Sequence, residues 1–126
     1  MKEKDFQKIL LNARSQVLNR MKEKGFFYKE EEGVRYDPIL WDINNGWCEE
    51  FAILVEKSVP FPETECLWLD DILPDAGSHC VISWRQKYYD AECIDGVKSL
   101  RKLPIMTRKP NTREAFIENL VSVLEI

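Results

Sequence analysis

The sequence predicts one α+β domain spanning residues 1–126, with a central helix packed on a small antiparallel sheet and a helix near each end of the chain flanking that core. Two apolar patterns of helical spacing predict the flanking helices: Phe6, Ile9, Leu10, Ala13, Val17, Leu18 and Met21, then Phe116, Ile117, Leu120, Val121 and Leu124. A third, with Phe51, Ala52, Leu54 and Val55 inward, predicts the central helix over about 47–57. Between the second and third helices lie short runs with strand character, Cys66–Leu69, Ser78–Trp84 and Tyr88–Glu92, separated by turn-forming residues.

In chain order, the first helix ends where Gly25 stands. From Gly25 to Asn45 the pattern breaks into aromatics, acids and the pair Asp37-Pro38, which holds Asp37 extended, so an irregular approach segment is expected. Its aromatics, Phe26, Phe27, Tyr28, Tyr36 and Trp41, either pack on the central helix or line a groove, and packing is the default for aromatics in a small domain. Pro60 and Pro62 end the central helix. Cys66–Leu69 reads as a core strand, Asp70 to Gly77 as a turn, and Arg85-Gln86-Lys87 as the polar tip of a hairpin. Asp95-Gly96 reads as a turn, Leu103 to Pro110 as an extended or irregular tail, and Asn111 with Glu114 as the cap of the last helix.

The net charge of −4 argues against a nucleic-acid partner, because tracking phosphates requires an excess of clustered Lys and Arg. Arg101, Lys102, Arg108 and Lys109 form a local basic group that reads as a solvated loop. No apolar run approaches the ~20 residues that span a bilayer, and the N-terminus is Lys/Glu-rich, so a cytoplasmic protein without a membrane partner is expected. Cys48, Cys66, Cys80 and Cys93 occur singly, without a Cys-x-x-Cys pair, so reduced thiols are expected, with Cys66 and Cys80 buried as small hydrophobes, and neither a metal nor another cofactor is signalled. No pattern assigns an oligomeric state.

The chemistry concentrates at Asn44-Asn45-Gly46-Trp47-Cys48-Glu49-Glu50-Phe51-Ala52. Cys48 stands at the start of the central helix, where unpaired N–H groups and the helix dipole favour a thiolate. Glu49 and Glu50 would oppose that unless they point away. His79, the chain's one histidine, opens a strand, and Asp90 lies on the next one. A thiol, an imidazole and a carboxylate are the parts of a Cys-His-Asp triad. The Cys48 N–H is one oxyanion donor, and Asn44, Asn45 and Trp47 are candidates for a second.

Hairpin register decides whether acid and base meet. A three-residue tip pairs Asp90 with Ile82 and puts the acid on the wrong face, whereas a two-residue tip pairs it with Val81, diagonal to His79 on the same face. Other readings of the same residues are a buried structural cysteine, a satisfied structural histidine, and a metal held by His79 with Cys48 or Cys80.

Three segments, Asn45 to Ala52, Gly77 to Trp84 and Lys87 to Glu92, together resemble the three blocks of the transglutaminase-like branch of the papain-like cysteine peptidases. The blocks are a G-x-C-x-x-x-A helix start, a G-x-H strand and a strand ending aromatic-x-D. The resemblance covers about Asn44 to Gly96 and implies a papain-like core with Cys48 as nucleophile, His79 as base and Asp90 as orienting acid, without a cofactor. It also implies acyl chemistry on a protein or peptide substrate: hydrolysis, deamidation or transfer to an amine, as in compact examples from bacteria and phages. Cys80 directly after His79 and Glu49 directly after Cys48 depart from the pattern, which leaves a catalytically inactive protein-binding module as the alternative.

Overall fold

Helix α1 (Glu3–Glu23) buries Phe6, Leu10, Ala13, Val17 and Met21, one residue per turn on a single stripe, with Ile9 and Leu18 half-buried at its edges. Gly25 ends it as expected: at φ +75° it lets the Gly25 N–H reach Lys22 O and the Phe26 N–H reach Met21 O, the paired bonds of a Schellman stop. The computed structural model describes residues 1–26, 28–29, 35–73, 77–108 and 111–124. Among them no helix is long and apolar enough to cross a membrane.

The approach segment is more regular than expected. Two short antiparallel strands, β1 (Tyr28–Lys29) and β2 (Arg35–Tyr36), precede a helical turn, α2 (Leu40–Asn44), and Phe27 lies outside the described residues. Asp42 makes that turn possible by accepting the Ile39 N–H at 2.9 Å, a capping bond that the aromatic content of the segment masks. Of its aromatics, Phe26 and Tyr36 are exposed, and Trp41 is half-buried.

Helix α3 (Cys48–Ser58) buries Cys48, Phe51, Ala52 and Val55. Behind it the sheet runs in simple order, β3 (Thr64–Leu73), β4 (Gly77–Trp84), β5 (Lys87–Asp90) and β6 (Cys93–Val97), each antiparallel to the next. Cys80, Ile82, Trp84 and Tyr89 face α1 and α3, where Phe6 stacks on Trp84 at 4.1 Å. Leu69, Val81 and Cys93 face the other way, onto Leu103 and Ile105.

Several expectations are corrected here. β3 is an edge strand, with Trp68 49% exposed, and it continues through Asp70 and Asp71 to Leu73, which pairs with Gly77; a central strand would have been covered on both faces. The expected Asp70–Gly77 turn therefore shrinks to Pro74, Asp75 and Ala76, outside the described residues. Asp95-Gly96 is not a reversal but part of β6, at a register shift against β5; the reversal is Ala91-Glu92. The tail after Leu103 is partly helical, with α4 (Pro104–Thr107) starting on a proline whose missing N–H is no loss at a helix start. The final helix, α5 (Arg113–Leu124), is capped by Thr112, whose hydroxyl accepts the Ala115 N–H at 3.2 Å, rather than by Asn111.

Candidate active site

Cys48 is placed from two directions. The chain leaves α2 through Asn45-Gly46-Trp47, where the Trp47 N–H returns to Ile43 O at 2.8 Å and Gly46 takes φ +155°, a backbone that L side chains rarely adopt. Phe51, Ala52 and Val55 then hold α3 against the sheet, so its first residue meets β4. The last registered pair of β4 and β5 is Ile82 with Tyr89, and β5 ends at Asp90. The Cys80 N–H, left without a strand neighbour on that side, donates to Cys48 Sγ at 3.4 Å. The thiol thus sits where the next strand would have run.

The register needed for the acid is the one found. The tip is the two residues Arg85-Gln86, at φ 48° and 66°, and Trp84 pairs with Lys87. Positive φ at both central residues is the type I′ geometry that matches strand twist. Continued one pair beyond Ile82 and Tyr89, this register sets Asp90 opposite Val81, diagonal to His79. His79 Nε2 and Asp90 Oδ2 lie 3.1 Å apart, and each residue is 1% exposed. The other carboxylate oxygen accepts the N–H groups of Glu92 and Cys93, both at 2.9 Å, as an aspartate opening a reverse turn does. Both oxygens are engaged, so the carboxylate cannot rotate away from the ring. His79 Nδ1, buried and without a well-formed hydrogen bond of its own, is the ring atom left for the thiol. Cys48 and His79 stand close enough that each shifts the other's pKa.

Burial pushes the Cys48 thiol up, but the His79 ring and the N–H groups of Cys80 and Glu49 outweigh it, and its pKa is lowered. Burial likewise opposes charge on His79, yet Asp90 and then Cys48 raise its pKa to about 9. Down for the thiol and up for the imidazole is the signature of a thiolate–imidazolium pair. The acids after Cys48 do not oppose it: Glu49 is exposed and contributes its N–H, and Glu50 pairs with Arg20 at 2.9 Å.

Of the three side-chain oxyanion candidates, two are occupied. Asn44 Nδ2 donates to Glu92 at 2.8 Å, and Asn45 Nδ2 to Trp41 O at 2.8 Å. Trp47, half-buried against Phe26 with Lys24 over its ring, has no hydrogen bond to its indole N–H among the described residues. As first residue of α3, Cys48 presents an N–H with no intrahelical acceptor.

Cys66 and Cys80 are not separate reduced thiols: a disulfide joins them, because register places them diagonally on one face of β3 and β4. Cys93 is free and buried, and burial pushes its pKa to about 11, so Cys48 is the thiol set apart by its surroundings. With Cys80 bonded to Cys66, the metal reading keeps only His79 and Cys48, and no group of three His, Cys, Asp or Glu suited to a metal occurs among the described residues.

Sequence reasoning missed a polar cluster beside Cys48, His79 and Asp90. Arg108, expected in a solvated loop, is buried and ion-paired with Glu92, and its Nη1 donates to Asn111 Oδ1 at 3.0 Å. Lys109 lies outside the described residues, while Arg101 and Lys102 are exposed. Asp42 and Arg113 form a second buried pair, at 3.2 Å, tying α2 to α5. No spacing signals either pair: Glu92 and Arg108 are 16 positions apart, and Asp42 and Arg113 are 71 apart. A pocket of about 170 Å³ lined by Glu3, Trp84, Arg85, Lys87 and Tyr89 lies at the far end of β4 from His79 and touches none of these groups. No family model, curated protein or solved structure matches the chain, so the chemistry of the site is read from its own geometry.

Proposed function

We propose that this protein is a cysteine-dependent hydrolase or acyltransferase with a papain-like core, acting on an amide of a protein or peptide through Cys48, His79 and Asp90. The observation that carries the reading is the buried His79–Asp90 contact at 3.1 Å beside a thiol whose pKa is lowered. The Cys48 thiolate attacks the amide carbonyl carbon, and the carbonyl π electrons move to oxygen. The Cys48 N–H, with the Trp47 indole as second donor, meets that oxyanion. On collapse the C–N bond breaks, and the His79 imidazolium gives its Nδ1 proton to the leaving nitrogen, forming a thioester and free amine. Water or an amine then attacks the thioester, His79 takes its proton, and Cys48 leaves as thiolate. Asp90 holds the ring in one tautomer throughout and does not itself become protonated.

Stoichiometric labelling of Cys48 by iodoacetamide at neutral pH, abolished in His79→Ala, is the expected result. Slow labelling indifferent to His79 would end this reading. One observation favours the second reading, a binding module: Cys48 is only 8% exposed. A partner captured equally by the wild type and Cys48→Ser, with the biological effect intact, would select it.

A further inference from the structure

Glu92 is two residues beyond Asp90, and its carboxylate is nearly sealed, with the side chain 4% exposed against 7% for Arg108. One oxygen pairs with Arg108, and the other accepts Asn44 Nδ2 at 2.8 Å, four residues before Cys48. From Arg108 the chain of bonds returns to α2: Asn111 Oδ1 accepts Arg108 Nη1 at 3.0 Å and Trp41 Nε1 at 3.1 Å, and Asn111 Nδ2 reaches Asn45 Oδ1 at 3.3 Å. Among the described residues, Asn44 to Glu92 is the one direct side-chain hydrogen bond between the segment leading into Cys48 and the turn carrying Asp90.

Local bonds shape that segment, and the Asn44–Glu92 bond ties it to the turn. Between Asn44 and Cys48 lies Gly46, where the space a Cβ would take is open, so the backbone there is held by the bonds and contacts of Asn44, Asn45 and Trp47 on either side. A buried ion pair is a poor device for stability alone, since apolar residues of similar volume serve as well or better. It does specify geometry, because a carboxylate with both oxygens bonded tolerates one arrangement of its neighbours.

We propose that Glu92, bridging Asn44 and Arg108, is a positioning residue that fixes the distance from the Cys48 sulfur to the His79–Asp90 pair. The proposal rests on the cysteine-nucleophile reading above. It adds a tie between the element bearing the nucleophile and the turn bearing the acid.

The test is the rate of Cys48 alkylation by iodoacetamide across pH 5–10, with the site checked by peptide mass mapping. It is run on the full chain as wild type, Asn44→Ala, Asn44→Ser and Glu92→Gln, each with a thermal unfolding scan. Folded Asn44→Ala is expected to shift the acid limb of the profile upward by about one pH unit, slowing alkylation about tenfold on that limb. Asn44→Ser, which keeps a donor, recovers part of the rate. Folded Asn44→Ala and Glu92→Gln profiles that superimpose on the wild type would overturn the proposal. So would loss of cooperative unfolding in all three variants, which would make the bridge structural. A wild-type profile with an ordinary thiol pKa would instead defeat the nucleophile reading itself, a separate result.

Discussion

Asp90→Asn probes the site at its most constrained atom. The amide keeps the volume, and its oxygen can still accept the Glu92 and Cys93 N–H groups, so the turn retains both bonds. What changes is the atom facing His79 Nε2, which becomes an N–H donor. The ring must then accept at Nε2 and carry its proton on Nδ1, a neutral imidazole unable to serve as base toward the thiol. The magnitude follows from the burial of the ring. Against its own desolvation, His79 is held at about 9 rather than the ordinary 6.5 by Asp90 first and Cys48 second. A tenfold change in proton affinity is about 1.4 kcal/mol, so the two partners supply on the order of 3 kcal/mol, plus whatever offsets burial. Without the Asp90 charge, His79 loses its proton near or below neutral pH, and the Cys48 thiolate loses its counter-ion.

Two readouts follow. His79 is the only histidine in the chain, so its ring resonances need no assignment by mutagenesis, and their titration midpoint is expected to drop from about 9 by roughly two pH units or more. Alkylation of Cys48 at pH 7.5 is expected to slow by at least about tenfold. A folded Asp90→Asn protein whose histidine still titrates near 9 would refute the claim that this carboxylate holds the imidazolium.

Stability should report the same pair. His79, raised to about 9, contributes stability that is whole below pH 6.5 and lost as pH rises through 9, while Cys48, lowered, contributes stability that is present above its ordinary 9 and lost as pH falls through its folded value. Where the fold holds His79 protonated and Cys48 ionised the two slopes oppose each other, so urea-derived stability of Cys48→Ala, with only the His79 slope left and Asp90 still raising the ring above 6.5, is expected to fall as pH rises past 6.5 more steeply than that of the wild type, by up to about 1.4 kcal/mol per pH unit; a flat profile would contradict the assignment. Arg113→Met strands Asp42 in the core and is expected to cost about 3–5 kcal/mol in urea unfolding, and a loss under about 1 would mean that the pair is solvated. Thiol titration of the urea-unfolded, unreduced protein is expected to count two free cysteines, Cys48 and Cys93, and opening the 14-residue Cys66–Cys80 link by Cys66→Ser to cost about 2–4 kcal/mol; four free thiols would deny the bond.

The parts of the site that sequence makes legible are those set by local rules. Gly25 stops α1 because a left-handed residue is needed there, and Cys48 starts α3 because the apolar positions Phe51, Ala52 and Val55 phase the helix from that residue. Alternation then sorts His79 from Cys80 across the faces of β4. The Arg85-Gln86 tip was less legible. It lacks the Asn-Gly or Asp-Gly of a typical two-residue reversal, so sequence alone allowed a three-residue tip that would have turned Asp90 away. The core across the sheet, where Phe6, Trp84 and Tyr89 meet, selects the shorter tip by burying Tyr89 on the α1 face and so sending Asp90 to the other.

The polar cluster was not legible at all, and the reason is general. A charged residue in a sequence carries no mark of burial, and surface exposure is the default for Glu and Arg. Glu92 departs from that default only because Asn44 and Arg108, 48 and 16 positions away, close on it together. Burial raises the Glu92 pKa while Arg108 and Asn44 oppose that rise, so the charge on Glu92 depends on both neighbours being in place. Such dependence is invisible to any reading that takes residues one window at a time. It is also why the acid two positions beyond Asp90, rather than the acids that follow Cys48, is the one whose removal should reach the thiol.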